Sequence, residues 1–151
     1  MEQVIIRRAE ERDLAAVVAC VHTAYSKYIA RIGKEPAPLL ADYAALIAQK
    51  VVYVLCGEEG VLGVLVMMPQ GRRMFVENVA VDPRSQGQGL GRMLMAFVEQ
   101  QARKEQLDEI YLYTNELMIE NLFFYRRLGF VEEARRMYDG YRRVFLRKAI
   151  K

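Results

Sequence analysis

Residues 86–92 read Gln-Gly-Gln-Gly-Leu-Gly-Arg, with glycine at 87, 89 and 91. Before them the apolar run Val79-Ala80-Val81 stops at Asp82-Pro83, and after them an amphipathic run opens at Leu90. Glycine weakens strands and helices alike, so three at alternate positions mark a special backbone. A strand that enters a glycine-rich turn and leaves as a helix is an anion-binding geometry. The first helical N–H groups lack internal partners, and the helix dipole favours negative charge there. Bare positions at Gly87, Gly89 and Gly91 would let a phosphate approach the backbone. A tight loop with no ligand is the competing reading, but one glycine would ordinarily serve it.

The spacing rejects two common nucleotide loops. No G-x-x-x-x-G-K-[ST] run is present, so a P-loop is excluded. Counting from Gly87 and Gly89, the third glycine of G-x-G-x-x-G falls on Arg92. A dinucleotide fingerprint should also follow the first strand of a βαβ unit, whereas three antiparallel-looking strands precede this turn.

Working outward, Val4 to Arg7 reads as a short strand. A helix follows from about Glu11 to Tyr28, with Leu14, Val17, Val18, Val21, Tyr25 and Tyr28 at helical spacing. Gly33, Pro36 and Pro38 make the next stretch a loop, and Leu39, Leu40, Tyr43, Leu46 and Ile47 stripe a second short helix. The runs VVYVLC and VLGVLVMM flank Gly57-Glu-Glu-Gly60, a hairpin signal, and RMFVENVAV is a third strand ended by Pro83. Leu90, Met93, Leu94, Phe97 and Val98 predict a helix to about Lys104. EIYLYT is a strand, and a helix runs from about Asn115 to Leu128 with Gly129 as a left-handed cap. Strands near 130–137 and 141–147 flank Asp139-Gly140, a hairpin turn.

The chain has 151 residues, 53% of them apolar and 27% charged, which fits one globular domain over 1–151. A net charge of +3 is too mild to argue for nucleic acid. The pairs Arg126-Arg127, Arg135-Arg136, Arg142-Arg143 and Arg147-Lys148 read as solvated faces, though one or two could serve a phosphate-bearing small ligand. Cys20 and Cys56 lie in apolar contexts without metal-ligand spacing, so buried free thiols in a reducing compartment are expected. The single histidine, His22, excludes a His-based metal cluster and reads as partly buried and structural. No metal, membrane span or signal pattern is expected, and the cytoplasm is the default location.

Gln86, Gly89 and Gly91 spell Q-x-x-G-x-G, and "ENVAVDP" and "YRRLGF" stand before and after it. In this series the chain resembles the GCN5-related N-acetyltransferase (GNAT) superfamily, whose signature is [RQ]-x-x-G-x-[GA]. The resemblance implies an α/β fold: a mixed, mostly antiparallel sheet of about seven strands, flanked by about four helices, with splayed fourth and fifth strands. It implies acetyl-coenzyme A as co-substrate, its pyrophosphate on the amides of Gln86, Gly87, Gln88, Gly89, Leu90, Gly91 and Arg92. The pantetheine arm would pair with the backbone of Val79, Ala80 and Val81, and the thioester carbonyl would accept an N–H near Val79.

Acetyl transfer to an amine needs a neutral amine, a stabilised oxyanion and a protonated leaving thiolate. A lysine-like amine with a pKa near 10.4 costs roughly 4 kcal/mol to deprotonate at pH 7. The resemblance makes Tyr125, four residues before Gly129-Phe130, the acid for the coenzyme A sulfur. Leu117, Asn121, Phe124, Tyr125 and Leu128 share one helical stripe, so Asn121 and Tyr125 should face inward. Many relatives carry an asparagine where this chain has Met118. Asn121, one turn before Tyr125, contacts pantetheine or caps a core hydrogen bond. Glu77, mid-strand between Phe75 and Val79, is the candidate base, since an unpaired carboxylate there is costly; a structural ion pair is the alternative. Tyr25 and Tyr28 line an acceptor pocket or complete the helix core. The acceptor is a small-molecule or protein amine, and a homodimer is compatible with the reading. The alternative function is a non-catalytic coenzyme A-binding regulatory module; a basic nucleic-acid-binding domain leaves the glycines unexplained.

Overall fold

The computed structural model describes residues 3–151. Its element order is β1 (Ile5–Arg8), α1 (Leu14–Tyr25), α2 (Tyr28–Ile32), α3 (Tyr43–Ala48), β2 (Val52–Gly57), β3 (Gly60–Gln70), β4 (Arg73–Val81), α4 (Leu90–Lys104), β5 (Glu109–Asn115), α5 (Ile119–Arg127), β6 (Val131–Tyr138) and β7 (Tyr141–Ala149). The seven strands form one mixed sheet in the order β1-β2-β3-β4-β5-β7-β6. Chain contacts divide it into two compact units: residues up to Met67 with Asn78–Phe97, and Met68–Glu77 with Val98–Lys151.

In the first unit β1, β2 and β3 form an antiparallel meander, with Gly57 paired to Gly60 across a two-residue turn. Val52, Val54, Val64 and Val66 are fully buried, and so is Leu94 of α4. A Cβ on Gly63 would lie 3.1 Å from Leu94 Cδ1 and 3.3 Å from the Ala80 carbonyl oxygen, so glycine lets α4 sit close to the sheet. A bidentate pair, Arg7 to Asp13 at 2.8 and 3.0 Å, ties β1 to the turn before α1. That hydrogen bonding holds the Asp13 carboxyl down at about 2, so its contribution is lost only in strong acid.

In the second unit the start of β4 pairs in parallel with β5, from Arg73↔Glu109 to Val76↔Leu112. The paired stretch ends there, although β4 runs on to Val81 and β5 to Asn115. That short ladder is what splayed fourth and fifth strands require. β5 and β6 both pair antiparallel with β7. Asp139 (φ 53°) and Gly140 (φ 85°) give the β6–β7 hairpin the twist that matches its strands.

Several expected boundaries shift. The helix read over 11–28 is a 3-10 turn followed by α1 and α2, which makes five α-helices instead of four. α5 starts at Ile119, because the Asn115 side chain accepts the Leu117 N–H at 2.8 Å and holds a turn. Leu117 is consequently exposed, and the inward face of α5 is Met118, Leu122 and Tyr125. On α4 Met93 is exposed and Met95 takes the buried place. His22 is exposed rather than partly buried, and Cys56 is half-buried while Cys20 is buried.

Candidate active site

Asp82-Pro83 ends β4 and builds the entrance to the glycine turn. The buried Asp82 carboxylate accepts the Arg84 N–H at 2.9 Å and its guanidinium at 2.8 Å. The Ser85 N–H then donates to the Asp82 carbonyl at 2.8 Å. These bonds leave Gln86, Gly87, Gln88 and Gly89 exposed. Gly87 (φ 85°) and Gly89 (φ 77°) are left-handed, a conformation that any L side chain strains to adopt, and nothing lies within 4 Å of where their Cβ atoms would be.

Leu90 is buried and anchors the helix start, while Gly91 is half-buried and Arg92 exposed. The first amide to close a helical bond is that of Met93, onto the Gly89 carbonyl at 3.0 Å. Among the described residues, the amides of 87–92 make no hydrogen bond. A row of unspent donors at the positive end of the fifteen-residue α4 is a cradle for phosphate oxygens.

Immediately upstream, Val79 and Val81 are half-buried and Ala80 is 3% exposed. The Val79 carbonyl accepts the Tyr25 hydroxyl at 2.9 Å, which also lies 2.8 Å from Asn78 Oδ1. Asn78 Nδ2 donates to the Tyr43 hydroxyl at 3.0 Å, and Tyr43 donates to the Pro38 carbonyl at 2.6 Å. This buried network fixes the backbone beside Val79, and sequence reasoning missed it. Asn78 alone offered a signal, as a polar residue inside a strand of apolar neighbours. Tyr25 and Tyr28 are buried, at 7% and 4% exposure, so they belong to the core. Burial beside Asp82 pushes the Cys20 thiol up to about 12, which makes it an inert packing group.

Three predicted residues lie in the second unit. Tyr125 is 7% exposed, its ring packed edge-on against Phe124 and Phe130. Burial pushes its phenol well above the ordinary range, so it stays protonated. Its hydroxyl makes no hydrogen bond among the described residues. Asn121 is half-buried, its Nδ2 3.5 Å from both Thr114 Oγ1 and Met118 Sδ. Met118 is buried.

Glu77 is half-buried and forms no ion pair or hydrogen bond among the described residues. Burial raises its carboxyl pKa above the usual range. The structural ion pair that would have explained it is absent from the described residues. No group of three or more His, Cys, Asp and Glu side chains among them is arranged to hold a metal. No helix of the described residues is long and apolar enough to cross a membrane.

The seven-stranded mixed sheet and the glycine turn opening α4 accord with the fold that the sequence resemblance implies, and comparison with known proteins gives the family. Residues 17–130 match the family model described as "Acetyltransferase (GNAT) family". The chain belongs to that family. It is 37% identical over 68 residues to a protein of Gracilaria tenuistipitata var. liui named "Uncharacterized N-acetyltransferase ycf52". That match covers 45% of this chain and about a third of the relative's length, 34%.

Among solved structures, the PaiA N-acetyltransferase of Thermoplasma acidophilum, in complex with coenzyme A, superposes with a TM-score of 0.83 at 16% identity. The superposition covers 97% of this chain and 99% of that one. The ribosomal-protein-S18-alanine N-acetyltransferase of Escherichia coli gives 0.77 at 19% identity, over 98% and 94% of the two chains. At these identities the likeness establishes the fold.

Proposed function

We propose that this chain, read as one acetyltransferase domain, is an acetyl-coenzyme A-dependent N-acetyltransferase. It transfers an acetyl group to a primary amine of a small molecule or protein by direct attack on the thioester. The observation that carries the reading is the row of unspent amides at 87–92, opening α4 in a chain of the GNAT family. The coenzyme A held by the Thermoplasma acidophilum structure supports the same donor.

Acetyl-coenzyme A supplies the activated acetyl group, and the rest is done by the chain. The amides of Gly87 to Arg92, with Gln86 at the entrance, bind the pyrophosphate. The backbone of Val79, Ala80 and Val81 orients the pantetheine arm, and an N–H near Val79 donates to the thioester oxygen. Tyr25 keeps that backbone in place through the Val79 carbonyl. Glu77, in its carboxylate form, takes a proton from the acceptor amine, directly or through a water. As the new C–N bond forms and the C–S bond breaks, Tyr125 gives its phenolic proton to the sulfur. Asn121 holds the pantetheine or the Thr114 hydroxyl.

Cys20 and Cys56 are free thiols, which accords with a reducing compartment such as the cytoplasm. Thiol release from acetyl-coenzyme A, followed while an amine library is added to the purified chain, tests the reading. Amine-dependent release supports it. Coenzyme A binding with no release for any amine would instead make the chain a non-catalytic binding module.

A further inference from the structure

The β6–β7 hairpin carries five arginines, and most of them meet acids. Arg135 and Arg142 reach Glu116 at 3.2 and 3.0 Å, Arg135 also reaches Glu132 at 2.9 Å, and Arg147 lies 3.8 Å from both Glu109 and Glu133. Arg136 and Arg143 are different. They stand directly opposite each other in the ladder, and neither has a carboxylate partner among the described residues. Like charges paired across strands oppose folding, so this arrangement needs a reason.

Arg143 is also not the solvated residue its charged context suggests. It is 7% exposed, and its Nε is buried with no hydrogen-bond partner. Its guanidinium carbon lies 4.5 Å from the ring centroid of Tyr113, 5.1 Å from that of Tyr141 and 5.8 Å from that of Tyr138. Tyrosine faces attract a cation but do not neutralise it. The guanidinium also donates a hydrogen bond to the Tyr113 hydroxyl. A largely buried guanidinium that meets a phenol but no carboxylate among the described residues is a receptor for an anion, because much of its hydration is already given up.

Tyr113 links Arg143 to the second half of the pattern. Glu77 acts electrostatically on the Tyr113 phenol, and Glu77 too has no ion pair or hydrogen bond among the described residues. A carboxylate and a guanidinium that meet no opposite charge among the described residues therefore both act on one tyrosine of β5, from β4 and from β7. We infer that Arg143 receives a carboxylate of the acetyl acceptor, so that the acceptor is an amine that itself carries a carboxylate. Its ammonium pairs with Glu77 before losing a proton to it, and its carboxylate takes the planar fork of Arg143 in place of a tyrosine edge. Tyr138, 46% exposed at the hairpin end, is the side chain that moves to admit it. This inference rests on the proposed transfer reaction and names the substrate class for it.

The test uses the full chain with acetyl-coenzyme A and paired amines: β-alanine with β-alaninamide, and 4-aminobutyrate with 4-aminobutanamide. The expected result is a kcat/KM at least about tenfold higher for the carboxylate member, carried mainly by KM. In Arg143→Met the ratio falls to about one, and in Arg143→Lys, which keeps the charge but loses the fork, it falls part of the way. No carboxylate preference in the wild type, or a preference that survives Arg143→Met, overturns the inference. So does a stronger preference for O-phosphoethanolamine.

A second arm does not depend on turnover. Calorimetric binding of N-acetyl-β-alanine and N-acetyl-β-alaninamide to the full chain with coenzyme A should favour the carboxylate, and Arg143→Met should remove the difference. Equal binding of the two overturns the inference. Carboxylate-selective binding without any acetyl transfer upholds the anion site and rejects the transferase reading. If Arg143→Met does not fold, Arg143→Lys in this arm decides, with a measurable loss of carboxylate selectivity expected.

Discussion

The turn at 86–92 and the cluster around Asn78 belong to the same unit and are built on opposite plans. In the turn the backbone is bare: its amides are unspent, Gly87 and Gly89 face open space and the Gln86 and Gln88 side chains are exposed. Around Asn78 the polar atoms are spent on one another, from Tyr25 through Asn78 and Tyr43 to Pro38. Buried polar groups are ordinarily satisfied, and leaving them open costs stability unless a ligand completes them. The difference separates groups kept for a ligand from groups that hold the frame around it. In the proposed mechanism Tyr125 and Glu77 fall on the first side; their mutual hydrogen bonds put Tyr25, Asn78 and Tyr43 on the second.

Substitutions should divide the same way. Tyr125→Phe deletes a hydroxyl that makes no hydrogen bond among the described residues. It should lower kcat about a hundredfold, leaving the coenzyme A Kd and the Tm nearly unchanged. A variant with full kcat would remove Tyr125 from the mechanism. Asn78→Ala strands the Tyr25 and Tyr43 hydroxyls and should cost about 1–3 kcal/mol of unfolding free energy, measured by urea denaturation. If it instead abolished coenzyme A binding in a fully stable protein, the two regions would not be distinct. Gly89→Val forces a β-branched residue into the left-handed region, at roughly 1–2 kcal/mol, and puts its side chain into the space held for phosphate. Coenzyme A affinity should fall about tenfold or more by calorimetry, with the fold retained by circular dichroism.

Glu77→Gln gives a small effect on stability, and its sign is fixed. The folded carboxyl holds its proton above the pH at which the unfolded one loses it, so the ionised form costs stability as pH rises through that window. The glutamine variant should therefore gain a little in Tm at neutral pH and nothing in acid. Its kcat/KM should lose the rise with pH that deprotonation of Glu77 provides. A variant that keeps that rise would exclude Glu77 as the base.

Much of the frame was legible because its signals are local. β4 spans Arg73–Val81 and α4 spans Leu90–Lys104, as read, because Pro83 and the glycines punctuate the chain between them. The turn was legible for the same reason, since a backbone-built site writes itself as spacing. The Asn78 cluster joins residues 35 and 53 positions apart, and no periodicity reports such a meeting. The break between α1 and α2 at Ser26-Lys27 has no glycine or proline to announce it. Arg143 was hidden in a charged pair, yet strand alternation places it with Tyr141 and Phe145, an aromatic face that hinted at its burial.

The central claim is that the bare turn holds a pyrophosphate. Calorimetry with coenzyme A and with pantetheine, which lacks the pyrophosphate and nucleotide, separates that contribution from the arm. The account predicts that coenzyme A binds at least about a hundredfold tighter than pantetheine, and that Gly89→Val removes most of the advantage. Equal binding of the two, or an advantage that survives Gly89→Val, would contradict it.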